Sequence, residues 1–301
     1  MNVISMSQSG NQEFYSIVTT DKCVSTLHIP DGMDPNRNAW LTITINYRLD
    51  FIDKRNPGGV VIGGMYDWKD GRGPQPEYYA YDSNKTDPAH KSTAEKFYVD
   101  DWDDNLKAAF EKKFKASAGF WNEKFLLKTP PNYSGLDYAV RQMPGFKLRP
   151  NVLCLYNLQG GGTPTHFPVK VLRTGYTNAF RSNSGLLDET DVKNNTIYHE
   201  LWHSMEDLHI QGLLGDAACI AKPALDKCYV ESLGPNEEPN ITGDSNRGKA
   251  LSPLNAKPWI ELIAQHTKTM PSDWLASLNT KIGPVHITAN SAAAPSFPRF
   301  R

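Results

Sequence analysis

Residues 199–209 read HELWHSMEDLH, and the prediction of fold and chemistry starts from this stretch. The apolar residues around it predict a helix from Asp191 to about Met205. Side chains four residues apart lie on one face of a helix, so the imidazoles of His199 and His203 can both reach one ion. Zinc binds imidazole nitrogen at about 2.0 to 2.1 Å, which two such side chains can achieve together. The stretch therefore predicts a metal-binding helix.

Glu200 follows the first of these histidines and is predicted to lie beside the metal, not on it. There a carboxylate can take a proton from a metal-activated water and pass it to a leaving amine. The alternative is a surface helix with incidental histidines, but a chain of this length with eight histidines contains HExxH by chance roughly once in a hundred trials. Ile197, Leu201 and Trp202 are apolar, as expected for a buried helix beneath a polar cleft. These residues indicate hydrolysis of an amide bond.

A third histidine, His209, stands six residues after His203. A catalytic zinc site needs a third protein ligand and an open position for water. The spacing HExxHxxxxxH resembles the metzincin branch of the zincin metallopeptidases, strictly over residues 199–209 and loosely over residues 95–270. The resemblance implies one Zn²⁺ per chain, with Glu200 as general base and acid and with three metal ligands, His199, His203 and His209.

The chain departs from that family midway between the second and third ligands, where Glu206 replaces the usual Gly. A continuing helix would carry His209 about 9 Å along its axis beyond His203 and turn it off the metal face, so the helix must break. We expect Glu206 or Asp207 to take the left-handed conformation that Gly adopts freely. For Glu this costs on the order of 1 to 2 kcal/mol more than for Gly.

A second departure concerns the methionine turn that underlies the metal in the resembling family. The block Asn240-Ile-Thr-Gly-Asp244 has Thr242 where Met is expected, and Met270 is the other candidate. The sequence therefore leaves this turn unassigned.

Three acidic residues compete with His209 for the place of third ligand. The distance in sequence from the motif to Glu231 is like that to the Glu ligand in thermolysin-like zincins. Asp216 would match the branch of zincins in which the third ligand is Asp. Glu206 is one helical turn from His203, but its carboxylate would have to bend back along the helix. His209 is the favoured ligand.

The region before the motif has a different pattern from the rest of the chain. From residue 16 to about 66, period-two alternation and β-branched runs predict strands, as at 41–47 and 59–63. Residues 70–91 are polar, contain Gly and Pro, and are predicted to form a long loop. We therefore predict a β-rich N-terminal region or accessory domain over residues 1–95.

Residues 96–288 are predicted to form one catalytic domain, followed by a weakly ordered tail at 289–301. Trp102, Leu106, Phe110 and Phe114 recur every four residues and predict a helix ending near residue 118. Further segments follow in order: strands at 125–127, 152–156 and 169–172, the metal helix, and a final helix at 256–266. The predicted class is α+β, a zincin-like domain in which a mixed sheet supports the active-site helix.

Composition excludes several classes of partner. The 32 Lys and Arg balance 33 Asp and Glu, and a net charge of -1 does not favour nucleic acid. No window approaches the roughly eighteen apolar residues of a membrane span. The first sixteen residues lack the features of a secretory signal, so we expect a cytoplasmic protein or one secreted or translocated by a signal-independent route. Cys219 and Cys228 are near enough in sequence to bridge one loop.

Together these observations predict a zinc-dependent endopeptidase acting on a protein or peptide substrate, and they are compatible with a secreted or injected effector or toxin. The alternative is a non-catalytic protein- or glycan-binding module that retains a zincin-like fold. An intact Glu200 argues against that alternative. Substrate specificity depends on pocket shape, which motif spacing does not reveal.

Overall fold

The structure is a computed structural model of the 301-residue chain. It describes residues 2–7, 14–29, 38–52, 101–139, 145, 147–173, 185–222, 240–243, 250–279 and 288–289. The chain divides into two compact units, each built from separate segments. The first contains Met1–Thr44, Gly119–Asn157 and Leu251–Arg301, and the second contains Ile45–Ala118 and Leu158–Ala250.

The first unit contains, in chain order, the strands β1 (Asn2–Ser7), β2 (Phe14–Thr19), β3 (Val24–Ile29), β4 (Ala39–Phe51), β5 (Phe125–Lys128), β6 (Tyr138–Ala139), β7 (Lys147–Arg149) and β8 (Val152–Gly160). Two of these strands continue into the second unit, β4 after residue 44 and β8 after residue 157. In the first unit β1, β2, β3 and β4 pair antiparallel in succession, and β5 pairs antiparallel with β8. The order in the sheet is β1-β2-β3-β4-β8-β5, and Leu275–Leu278 pairs beyond β5. Alternate residues of β3 and β4, such as Leu27, Leu41 and Ile43, are buried, which is the period of a strand with one covered face.

A helix over Lys257–Thr267 covers strands of the first unit, where it contacts β2 and β3. Trp259 is fully buried and its indole Nε1 donates a hydrogen bond to the carbonyl oxygen of Leu155 at 3.0 Å. The helix ends at Lys268, which takes the left-handed conformation with φ 56°. The helix predicted at 256–266 is confirmed.

The second unit contains parallel strand pairs. The later part of β4 pairs in parallel with β9 (Phe167–Leu172), and β9 pairs in parallel with β10 (Leu186–Asp188). Because β4 also pairs antiparallel with β3, the sheet is mixed, and the predicted α+β class is confirmed. The zincin-like fold stays a prediction.

Helix α1 (Asp104–Ser117) packs on this parallel part of the sheet. The carboxylate of Asp103 caps its first turn by accepting a hydrogen bond from the amide of Leu106 at 2.8 Å. Phe114 lies between Tyr47 and Phe167, with ring centroids 5.0 and 6.4 Å away. The aromatic face predicted from four-residue spacing is therefore the face that packs.

The strands predicted at 41–47, 125–127, 152–156 and 169–172 are all present. The predicted strand at 59–63 and loop at 70–91 lie outside the described residues, and the division into 1–95, 96–288 and 289–301 stays a prediction. No helix in the described part of the chain combines the length and apolarity needed to cross a bilayer.

Candidate metal centre

The metal motif lies on helix α2 (Thr196–His203), which follows β10 after a short connection within the second unit. The buried carboxylate of Asp191 accepts a hydrogen bond from the amide of Asp188 at 2.7 Å and so closes the turn after the strand. A 3₁₀ turn covers Asp191–Lys193, so the helix predicted from Asp191 to Met205 is shorter than expected. Buried Ile197, Leu201 and Trp202 fix the helix in the core.

Helix α2 ends without a left-handed residue. The amide of Ser204 donates to the carbonyl of Leu201 at 3.2 Å and the amide of Met205 to that of Trp202 at 2.9 Å, so the last turn tightens to 3₁₀ bonding. Among the described residues other than Gly, positive φ occurs at Glu123 and Lys268. The expectation that Glu206 or Asp207 would take positive φ is wrong, because 3₁₀ bonds satisfy the helix end in ordinary backbone regions.

A side chain then redirects the chain towards the third histidine. Glu206 is 7% exposed, and its Oε1 accepts hydrogen bonds from the amides of Asp207 and Leu208, both at 3.1 Å. The indole of Trp202 donates to the carbonyl of Leu208 at 2.9 Å. His209 follows in an extended conformation and precedes the short helix α3 (Ile210–Leu213).

These connections bring three imidazole nitrogens together. The Nε2 of His203 lies 3.1 Å from that of His199 and 3.0 Å from that of His209, and the remaining pair is 3.3 Å apart. Three nitrogens bound to a tetrahedral zinc at about 2.0 to 2.1 Å lie about 3.3 Å apart, so the spacing fits such an ion after small adjustments. The cluster could therefore hold a metal ion.

Hydrogen bonds to main-chain carbonyls fix the orientation of two of the rings. The Nδ1 of His199 lies 2.8 Å from the carbonyl oxygen of Ile241, and the Nδ1 of His203 lies 3.1 Å from that of Glu206. A carbonyl only accepts, so each Nδ1 carries the hydrogen and each neutral ring directs the Nε2 lone pair at the other. Two lone pairs facing each other at 3.1 Å repel, and a cation between them removes that repulsion.

The carbonyl that holds His199 belongs to a buried turn over residues 240–243. The Oδ1 of Asn240 accepts from the amide and the hydroxyl of Thr242 at 2.9 and 2.7 Å. Thr242 therefore lies in this turn, at the position where Met was expected, whereas Met270, the other candidate, is 64% exposed. The Asn-x-Thr spacing is a sequence signal for this turn, because Asn side chains bond to the backbone two residues on.

The acidic rivals for the third ligand position have other contacts. The carboxylate of Asp216 caps helix α4 (Ala217–Ala221) by accepting from the amides of Ala218 and Cys219 at 2.8 and 3.2 Å. Neither Asp216 nor Glu206 belongs to the metal-binding group found among the described residues. Glu231 lies outside the described residues. The geometry thus favours His209.

The remaining candidate residues have separate positions. Glu200 is 5% exposed, as is His199, while His209 is 3% exposed and His203 is more accessible. His166 does not belong to the histidine cluster, and its Nδ1 accepts a hydrogen bond from the amide of Asn46 at 3.0 Å. Cys219 is disulfide-bonded, whereas Cys228 lies outside the described residues.

Comparison with known proteins adds no assignment. No protein-family model matches the chain, and neither the curated proteins nor the solved structures give a match. The functional argument therefore depends on the chemistry of the residues themselves.

Proposed function

We propose that this chain is a zinc-dependent endopeptidase, with His199, His203 and His209 as metal ligands and Glu200 as general base and acid. The observation that carries the proposal is the convergence of three Nε2 atoms within 3.0 to 3.3 Å. Main-chain carbonyls orient two of these rings so that their lone pairs meet.

The donor set supports zinc as the metal. Imidazole nitrogen suits zinc, and three protein ligands with an open fourth position distinguish catalytic zinc sites from closed structural ones. When bound, zinc lowers the pKa of water to about 7 and polarises a carbonyl as a Lewis acid. His203, the proposed second ligand, is partly exposed, so the site is open to solvent on the side of this residue.

Glu200 supplies the proton-transfer group in this proposal. It directly follows His199 in α2, and its burial surrounds the carboxylate with protein instead of bulk water. Its task is to hold the proton removed from the attacking water and then deliver it to the nitrogen of the leaving amine. This balances an amide hydrolysis: the C–N bond breaks, a C–O bond forms, and the proton moves to nitrogen.

The test is Glu200→Gln, which keeps the size of the side chain and removes its basicity. We expect about one zinc per chain by atomic spectroscopy in both proteins, with peptide hydrolysis lower by at least about a hundredfold in the variant. Glu261→Gln, on the exposed side of the helix over Lys257–Thr267, is the matched control and should retain activity.

Two outcomes would reject the assignment in different ways. Undiminished hydrolysis by the Gln variant would remove Glu200 from the mechanism. Zinc-loaded protein that cleaves nothing in a diverse peptide library would instead favour a non-catalytic binding module. A chelator should abolish hydrolysis, and readdition of zinc should restore it.

A further inference from the structure

We propose that Glu206 is a positioning residue for the metal centre, in which its carboxylate shapes the turn to the third ligand and its carbonyl orients the second. The inference rests on the metal site of the proposed function but not on peptidase activity. It assigns a purpose to the residue that departs most clearly from the resembling motif.

The first step is the change of direction after α2. A continued helix would separate His203 and His209 by about 9 Å along its axis, yet their Nε2 atoms are 3.0 Å apart. The chain must therefore leave the helical path after Glu206, whose amide still donates to the carbonyl of Trp202 at 3.0 Å. Once the chain has left the helix, the amides of Asp207 and Leu208 have no helical carbonyl partners.

The second step is the satisfaction of those amides. Both donate to Glu206 Oε1 at 3.1 Å, and the carboxylate itself is buried. Both amides thus have an ionised acceptor, and hydrogen bonds to a charged acceptor are the stronger kind. A carboxylate near the C-terminus of α2 interacts unfavourably with the helix dipole, but this effect is weak at a short helix end that is partly exposed. The two amide bonds outweigh this cost.

The third step connects the same residue to the second ligand. The carbonyl oxygen of Glu206 accepts from Nδ1 of His203 at 3.1 Å, which directs the lone pair of Nε2 at the metal position. The turn that the carboxylate stabilises therefore also sets where this carbonyl points. One residue thus couples the orientation of His203 to the placement of His209.

The experiment compares Glu206→Ala, Glu206→Gln and the control Asp103→Ala. The carboxylate of Asp103 also accepts a hydrogen bond from a backbone amide, but it lies at the start of α1 and outside the histidine cluster. Zinc affinity is measured by competition with a chromophoric chelator, and ligand geometry is read from the visible spectrum of the Co²⁺-substituted protein. We expect Glu206→Ala to weaken zinc binding by about 10- to 100-fold and to shift the Co²⁺ bands, as loss of an orienting partner does.

Glu206→Gln retains an acceptor oxygen and should bind zinc within a few-fold of the native protein. Asp103→Ala should lower thermal stability with native zinc affinity and native Co²⁺ bands. Native affinity and spectrum in Glu206→Ala would overturn the inference, as would equal loss in the Ala and Gln variants. If Glu206→Ala does not fold, Glu206→Met, which keeps much of the side-chain volume but has no acceptor oxygen for the two amides, replaces it in the same two measurements. Native zinc binding without peptide hydrolysis would reject the proposed function and leave this inference intact.

Discussion

His199 and His203 each donate a hydrogen bond from Nδ1 to a main-chain carbonyl oxygen. These two hydrogen bonds leave Nε2 of each ring as an acceptor that can bind a cation. Both rings then present a lone pair to the same point, with the two Nε2 atoms 3.1 Å apart. Without a cation the two lone pairs repel, whereas a metal ion converts both into bonds. The fold thus holds two nitrogen atoms in a mutually repulsive arrangement, and a bound metal ion would remove that repulsion.

At the same scale, His209 is the residue whose role can be tested most directly. Its imidazole lies in the triangle of nitrogens, so His209→Ala should weaken zinc binding by more than about 100-fold, beyond what loss of an orienting partner alone causes. Asp216→Ala should lose about 1 kcal/mol of stability, because a helix cap is removed, and keep the metal. Metal titration of both variants is the measurement. Tight binding by His209→Ala together with loss in Glu231→Ala would transfer the ligand role to Glu231.

The sequence identifies some of these residues and cannot identify others. The four-residue spacing of His199 and His203 predicts their shared face, because helix geometry fixes it. The contribution of Ile241 is a carbonyl oxygen, which every residue carries, so no side-chain pattern could reveal it. The use of Glu206 depends on the conformation of a turn that helix propensities do not describe.

At the scale of elements, α2 depends on its surroundings. It has eight residues, and isolated helices shorter than about 12 to 15 residues are marginal in water. Buried Leu201 and Trp202 and contact with α1 hold it in place. The histidines of the candidate metal site are therefore positioned by core packing together with the turns on either side.

The turn over residues 240–243 should affect the metal although it contains no ligand. Asn240→Ala removes the acceptor for the amide and hydroxyl of Thr242 and so frees the Ile241 carbonyl from its fixed position on His199. We expect zinc affinity to fall by about 10- to 100-fold. Asn255→Ala is the matched control, since Asn255 is equally buried and bonds to the amide of Ser252 instead. Unchanged zinc affinity in Asn240→Ala would show that His199 keeps its orientation without this turn.

The helix over Lys257–Thr267 contributes a pH-dependent contact to the first unit. His266 lies between two buried serines, with Nδ1 2.9 Å from the hydroxyl of Ser16 and Nε2 3.0 Å from that of Ser25. Ser25 donates its hydrogen to the carbonyl of Val18, so it accepts from Nε2, and Nδ1 accepts from Ser16. Burial lowers the pKa of His266 to about 4 from its ordinary value of 6.5.

Below pH 6.5 the unfolded chain binds a proton at His266 that the folded chain does not bind until about pH 4. Stability should therefore fall as pH decreases through this window and level off below it, with a total loss of about 3 kcal/mol. Urea unfolding of native protein and His266→Gln at several pH values measures the difference. Identical pH slopes in the two proteins would contradict the assignment, since the other titrating groups are common to both.

At the scale of the whole molecule, local patterns predict elements but not their pairing. Alternation in β4 and four-residue spacing in α1 are both borne out. The parallel pairing of Tyr47 with Phe167 joins positions far apart in sequence, and neither segment alone indicates its partner. Each compact unit is likewise assembled from separate segments, which composition along the chain does not indicate.

The three histidines of the cluster all lie in one of the two units, so a metal ion bound there should protect that unit selectively. Zinc at one hundred times its dissociation constant stabilises the bound state by about 2.7 kcal/mol, equivalent to about 100-fold slower amide exchange where opening releases the metal. We expect this slowing for amides of α2 and residues 240–243, with little change in the helix over Lys257–Thr267. Hydrogen exchange with and without zinc measures it, and His203→Ala should show no response. Equal slowing in both units would mean that they open as one cooperative body, whereas no slowing in α2 would contradict metal binding at this site.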